Sequence, residues 1–238
     1  MRTRALSAAQ LDRAGLDTLD VGAGTGFATE GVIEHVDAAR VTMVDQSPDQ
    51  LRRAQAKPAL AACRKLLGDA EDLPLPADAF DRYISCGSIE YWPDPERAIR
   101  EAHRILRPGG LAMVAGPVPP SGRMARWLAD AWMLFPSRAD YVRWFEAAGF
   151  DEIRVLTIDA PWATSSQRSA YAVAVAGRAT RSGAPELHSG ETVAERADEP
   201  WTVRRLLRFA AGSLAGALFI PVGIFMNLRA RRAPGRSR

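Results

Sequence analysis

Between residues 17 and 177 short apolar runs alternate with stretches in which apolar residues recur every three or four positions. That is the arrangement of strands and helices taken in turn, and it predicts an α/β domain with a mainly parallel, doubly wound sheet. The runs DTLDVG, RVTMVD, CRKLLGD, FDRYISC, GLAMVAG, DEIRVLTI and SAYAVAVAG predict its strands, seven in all. The clearest helix is DPERAIREAHRILRPGG: Pro95 suits the first turn, Ala98, Ile99, Ala102, Ile105 and Leu106 make an apolar stripe, and Pro108-Gly109-Gly110 is expected to end it. Residues 116–136 interrupt the alternation with an aromatic, methionine-bearing stretch and are expected to form a lid-like insert. The domain is therefore expected over residues 1–177, followed by a polar, turn-rich linker over 178–200.

Residues 209–228 then run for twenty positions without a charge, with arginines crowding both ends. At about 1.5 Å per residue a helix of this length spans about 30 Å, the hydrocarbon thickness of a bilayer. Residues 201–238 are accordingly expected to be a membrane-anchor helix with a basic tail.

Composition narrows the picture. With 238 residues, 47% hydrophobic and 25% charged, the chain can bury one sizeable core. Cys63 and Cys86 have neither metal-site nor disulfide-framework spacing, which predicts a reducing compartment and no metal. The net charge is +3, and Lys57 and Lys65 are the only lysines, a balance that gives no reason to expect a nucleic-acid surface. The first fifteen residues contain no apolar stretch of the kind a secretory signal needs.

The candidate chemistry starts at LDVGAGTGF, where Gly22, Gly24 and Gly26 occupy the turn between the first strand and a helix. Residues without side chains let the backbone approach a ligand closely, and a helix start offers free N–H groups. Asp20 precedes the turn, and Asp45, with Gln46 beside it, ends the second strand, where an acid can accept both hydroxyls of a ribose. Such a site suits either NAD or S-adenosylmethionine. After the fourth strand comes SCGSIEYWPDPERA, an acid and two aromatics ahead of a Pro-Asp-Pro turn. Glu90 or Tyr91 there could take or relay a proton, and Trp92 could pack against an aromatic acceptor, whereas His103 in the following helix is expected to face away.

The spacing Asp-x-Gly-x-Gly-x-Gly resembles the first motif of class I methyltransferases more than the Gly-x-Gly-x-x-Gly of dehydrogenases. GDAEDLPLPADAFD agrees with this, and the resemblance implies that Asp69 lies beside an adenine while Ala70 offers it a backbone N–H. The Asn/Asp-Pro-Pro-Tyr motif of DNA amino-methyltransferases is absent after the fourth strand. Instead GSIEYWPDPERAIREAHRILRPGG, together with VDQSPDQL, GDAEDLP, GPVPP and WLADAWMLFP, closely resembles the 2-methyl-6-phytyl-1,4-hydroquinone methyltransferases of tocopherol and plastoquinone synthesis, from about residue 20 to 150. The resemblance implies a Rossmann-like class I fold, S-adenosylmethionine as cofactor, and C-methylation of a prenylated lipid quinol held at a bilayer. The chemistry of ring methylation makes Glu90 and Tyr91 the candidate catalytic residues and Trp92 and Trp132 the candidate substrate contacts, and the protein is expected on a prokaryotic cytoplasmic membrane or a plastid envelope. Rival readings are another lipid acceptor, a menaquinone precursor or a sterol, and a non-catalytic cofactor-binding membrane protein. Relatives carry a segment ahead of the first strand that covers the cofactor, where only sixteen residues precede Asp17 here.

Overall fold

The apolar runs become strands, because each can bury its side chains against helices on one face of the sheet or the other. They are β1 (Thr18–Val21), β2 (Val41–Asp45), β3 (Arg64–Leu67), β4 (Phe80–Cys86), β5 (Leu106–Pro117), β6 (Phe150–Asp159) and β7 (Ala170–Ala179). The structure is a computed structural model that describes residues 2–119, 135–159 and 170–181. One seven-stranded sheet has the order β3-β2-β1-β4-β5-β7-β6. Pairings among β1 to β5 are parallel, and β7 runs antiparallel to both β5 and β6.

Helices α1 (Arg2–Leu6), α2 (Phe27–Val32) and α3 (Pro48–Gln55) lie in the first half of the chain, and α4 (Pro95–Ile105) and α5 (Arg138–Ala147) in the second. Two clusters form the core, one per face. Along β5, Leu111, Met113 and Ala115 join the cluster that holds Ala5 and Leu6 of α1 and Val32 of α2. Ala112 and Val114 join the one that holds Ile99 and Ala102 of α4 and Tyr141 and Phe145 of α5. This two-residue period with both faces covered is why the strands read as nearly unbroken apolar runs. Helix starts follow local rules: Ser47 and Asp94 accept from the backbone N–H of Gln50 and Arg97, each with a proline next in line, and Ser137 with Asp140 forms a capping box.

One expectation changes. Helix α4 stops at Ile105, because the next residue already belongs to the sheet: Leu106 opens β5 opposite Phe80, and the Ala79 N–H bonds the Ile105 carbonyl. Pro108-Gly109-Gly110 therefore lies within β5 and is not the helix terminator. Ahead of β1 the chain forms α1 and a short turn, and buries Ala5, Leu6, Ala9 and Leu11. Its fastening is Arg82 of β4, 2% exposed, whose guanidinium donates to the carbonyls of Ala9 (2.8 Å) and Gln10 (3.0 and 3.2 Å).

Trp132, most of the expected insert, the linker from residue 182 and the span 209–228 lie outside the described residues. Among the described residues no helix is long and apolar enough to cross a membrane, and no cluster of His, Cys, Asp and Glu suits a metal ion.

Candidate active site

The strand order reverses between β1 and β4, and in open α/β sheets ligands bind at the carboxyl ends of the strands flanking such a point. Both neighbouring turns there are short of side-chain bulk for a reason. A Cβ on Gly22 would lie 2.4 Å from the Ser88 Cβ, so the turn after β1 and the turn after β4 touch only because residue 22 is glycine. Gly26 at φ +84° would drive a Cβ to 2.2 Å from Leu60. Gly24, by contrast, faces open space. A ligand can therefore reach the backbone at Gly24, and the packing on either side fixes the turn's shape.

Two acids frame this turn. Asp45 accepts from the Gly24 N–H at 2.7 Å and from the Ser47 N–H at 2.8 Å, one through each carboxylate oxygen. A carboxylate has about four acceptor positions, so two stay available for neighbouring hydroxyls. Asp20 is fully buried; one oxygen accepts from the Thr29 hydroxyl at 2.6 Å and the other has no hydrogen-bond partner. Burial, reinforced by the nearby Asp45 charge and offset in part by Thr29, pushes its pKa up to about 7. A buried carboxylate with an unmet oxygen asks for a donor or a positive charge. Gln46 is exposed next to Asp45.

The turn after β3 carries the third part of this half. Asp69 accepts from the Glu71 N–H at 3.0 Å and its carbonyl from the Asp72 N–H at 3.2 Å, while Ala70 is buried in the core. Gly68 is needed beside it, since a Cβ there would meet Pro74 at 2.8 Å.

On the other side of the reversal lies a cavity of about 250 Å³. Phe27, Cys86, Ala115, Pro117 and Ile158 make its apolar wall, and Arg2 and Glu90 are its charged lining. Glu90 sits half-buried in the one-turn helix Ile89–Tyr91, and its Oε2 has no hydrogen-bond partner. Burial raises its pKa. The Cys86 thiol is held protonated by burial and by Asp20. Tyr91 is 63% exposed and lies outside the cavity lining; burial first and the Glu90 charge second raise its pKa. Trp92 turns the other way, 8% exposed in the core cluster with Val21, Ala70 and Ile99. His103 faces away, as expected, with its ring edge-on to Phe150 at 4.9 Å. The sequence reading missed Arg2, which has no motif near it in the chain, and Phe27, which closes the LDVGAGTGF stretch but whose part in the cavity depends on Cys86, Ala115 and Ile158, all distant in sequence.

Open backbone at Gly24, an acid able to take two hydroxyls and a buried carboxylate short of a cation fit S-adenosylmethionine, which presents a ribose and a cationic methionine end. The comparisons agree with the geometry. A family described as a methyltransferase domain matches residues 19–114. An S-adenosylmethionine-dependent methyltransferase from Mesorhizobium loti superposes with a TM-score of 0.60 at 21% identity, covering 74% of this chain and 96% of that one. The protein is a class I S-adenosylmethionine-dependent methyltransferase. Within that class, the chloroplastic 2-methyl-6-phytyl-1,4-hydroquinone methyltransferase 1 of Oryza sativa subsp. japonica is 43% identical over 98% of this chain and 72% of its own length. The chloroplastic enzyme of that name from Spinacia oleracea is 44% identical over 98% and 69%. The chain belongs to the 2-methyl-6-phytyl-1,4-hydroquinone methyltransferase family.

Proposed function

We propose that this protein methylates a ring carbon of a prenylated 1,4-hydroquinone, in the cavity beside Glu90. The observation that carries the reading is the Glu90 oxygen without a partner in a mainly apolar pocket at the strand-order reversal. Bound S-adenosylmethionine supplies an electrophilic methyl group on a sulfonium. Asp45 and Gln46 would hold its ribose, Asp69 and the Ala70 N–H its adenine, and Asp20 with the Gly22–Gly26 turn its methionine end.

The remaining work falls to this chain's own side chains. A phenol is a poor carbon nucleophile until its proton leaves, and a carboxylate whose pKa is raised by burial is a better base for that proton than an ordinary one. Glu90 takes the hydroxyl proton, the freed electron pair makes the ortho carbon nucleophilic toward the methyl group, and the hydrogen on that carbon then leaves as a proton to restore the aromatic ring. Tyr91, exposed at the next position, passes the proton to solvent. The apolar walls at Phe27, Ala115 and Ile158 hold the ring. Residues 209–228 would keep the domain at the bilayer where a long-tailed quinol resides, which raises the local concentration of substrate.

The test is transfer of a radiolabelled methyl group to a panel of prenyl quinols, sterols and menaquinone precursors. Methylation of the prenyl quinols above the other acceptors is expected; preference for a sterol would remove the quinol assignment. A chain ending at Glu199 should methylate a short-chain, dispersed quinol at a rate within about twofold of the full chain, and lose turnover on the long-tailed quinol in vesicles. Equal loss on both would mean that residues 209–228 do not serve as a tether.

A further inference from the structure

The turn that follows β3 has almost no regular structure of its own, yet helix α4 holds it at several points. Glu101 and Arg104 lie one turn apart on α4, both side chains under 10% exposed, and pair through two contacts, Nε to Oε1 at 2.6 Å and Nη2 to Oε2 at 2.7 Å. The pair also hydrogen-bonds the backbone of the turn. The Leu73 N–H donates to Glu101 Oε2 at 2.9 Å, and Arg104 donates to the carbonyls of Leu75 (3.0 Å) and Leu73 (3.2 Å). Earlier in the turn, Glu71, itself 7% exposed, accepts from the backbone N–H of Asp94, the residue that caps α4, at 2.7 Å.

An ion pair buried this deeply gives little net stability over an apolar pair of the same volume, since desolvation offsets most of the attraction. Its contacts are better explained by what they hold in place. The clamped residues Leu73 and Leu75 lie in the same turn as Asp69 and Ala70, and Glu71 is the next residue after Ala70. We infer that Glu101, Arg104 and Glu71 are positioning residues that fix the Asp69–Ala70 turn in the shape that receives the adenine of the cofactor. The inference rests on the adenine reading of Asp69 and Ala70 given above. Side chains that never touch the ligand thus set the geometry of those that do, as supporting groups around binding sites generally must.

Removing one member of the pair alone would strand a buried charge, so both are replaced together. The variant Glu101→Met with Arg104→Leu keeps volume without charge and is expected to stay folded by circular dichroism and thermal unfolding. By calorimetry it should bind S-adenosylmethionine at least tenfold more weakly, while kcat at saturating cofactor stays within about threefold, because ground-state positioning is lost and chemistry is not. Glu71→Ala should weaken cofactor binding about three- to tenfold, and Glu71→Gln, which keeps an acceptor oxygen for the Asp94 N–H, should restore it to within about twofold. Asp69→Ala is the control. If it leaves affinity unchanged, the adenine reading fails and the clamp proposal with it. If Asp69→Ala weakens binding while the double variant binds normally, or the Glu71 variants both do, the clamp is purely structural and the proposal is overturned.

Discussion

The two sides of the strand-order reversal are built on opposite physical plans. The side at β1, β2 and β3 is polar and braced: Asp45 already holds two backbone donors, and the turn after β3 is held from α4. The side at β4, β5 and β6 is a mainly apolar cavity, bordered by Arg2 of α1 and Phe27 of α2, with a carboxylate whose Oε2 has no partner. The difference matches two tasks. A cofactor shared by many enzymes must be gripped at several polar points whose geometry is fixed before it arrives. A lipid-like ring offers few polar handles, so its site needs shape, dryness and one base.

If that division is right, the largest effect on turnover belongs to the apolar side. Glu90→Gln should lower kcat by roughly 10²- to 10⁴-fold, the usual range for a lost general base, while the cofactor dissociation constant stays within about twofold. Radiolabelled methyl transfer beside calorimetry reads both numbers. Normal turnover would place the base outside this cavity.

On the polar side, Asp45→Ala should weaken S-adenosylmethionine binding by about 10- to 100-fold, or ~1.5 to 3 kcal/mol, through loss of charge-assisted contacts to the ribose. Unchanged affinity in a folded variant would show that Asp45 serves only the Gly24 and Ser47 N–H groups.

Asp20 sharpens the comparison through pH. Its folded pKa of about 7 lies above the ordinary 3.8, so the folded state holds its proton where the unfolded chain has released it. With no ligand, this group costs nothing below about pH 4. Its cost grows as pH rises to about 7 and then stays at ~4 kcal/mol, since each tenfold change in proton affinity is worth about 1.4 kcal/mol. Ligand-free stability should therefore fall over that window, and Asp20→Asn should flatten the slope. A cofactor whose cationic end meets the ionised carboxylate should show the reverse trend, with affinity rising about tenfold from pH 6 to pH 8. Titration calorimetry at several pH values decides it, and an Asp20→Asn variant that keeps the full pH dependence would assign it to another group.

The smallest effect is expected at Tyr91. As an exposed relay next to Glu90, its change to phenylalanine should slow turnover by about 2- to 10-fold, the worth of one hydrogen bond, with no change in cofactor affinity. Turnover equal to the native enzyme would leave Glu90 to exchange its proton directly with water.

The sequence by itself determined the parts whose physics is local. Strands with both faces covered show as apolar runs, helix starts show as Ser or Asp followed by Pro, and the glycine turn with Asp20 and Asp45 shows because a backbone-approached ligand needs those residue types at those spacings. Glu90 was legible as an acid in the turn that follows a buried strand, though not the apolar walls that raise its pKa. The tertiary structure alone decided the rest. It sent Trp92 into the core and Tyr91 to the surface, since a turn three residues long cannot aim neighbouring side chains the same way. It ended α4 at Ile105, because Leu106 had a partner in Phe80 across the sheet, a contact between residues far apart in the chain. The same holds for the cavity wall, which joins Phe27 to Ile158, for Arg82, which holds the carbonyls of Ala9 and Gln10, and for Glu101 and Arg104, which hold the turn after β3. Long-range contacts place charged side chains where their neighbours in the chain give no sign, and only the folded sheet brings those partners within reach.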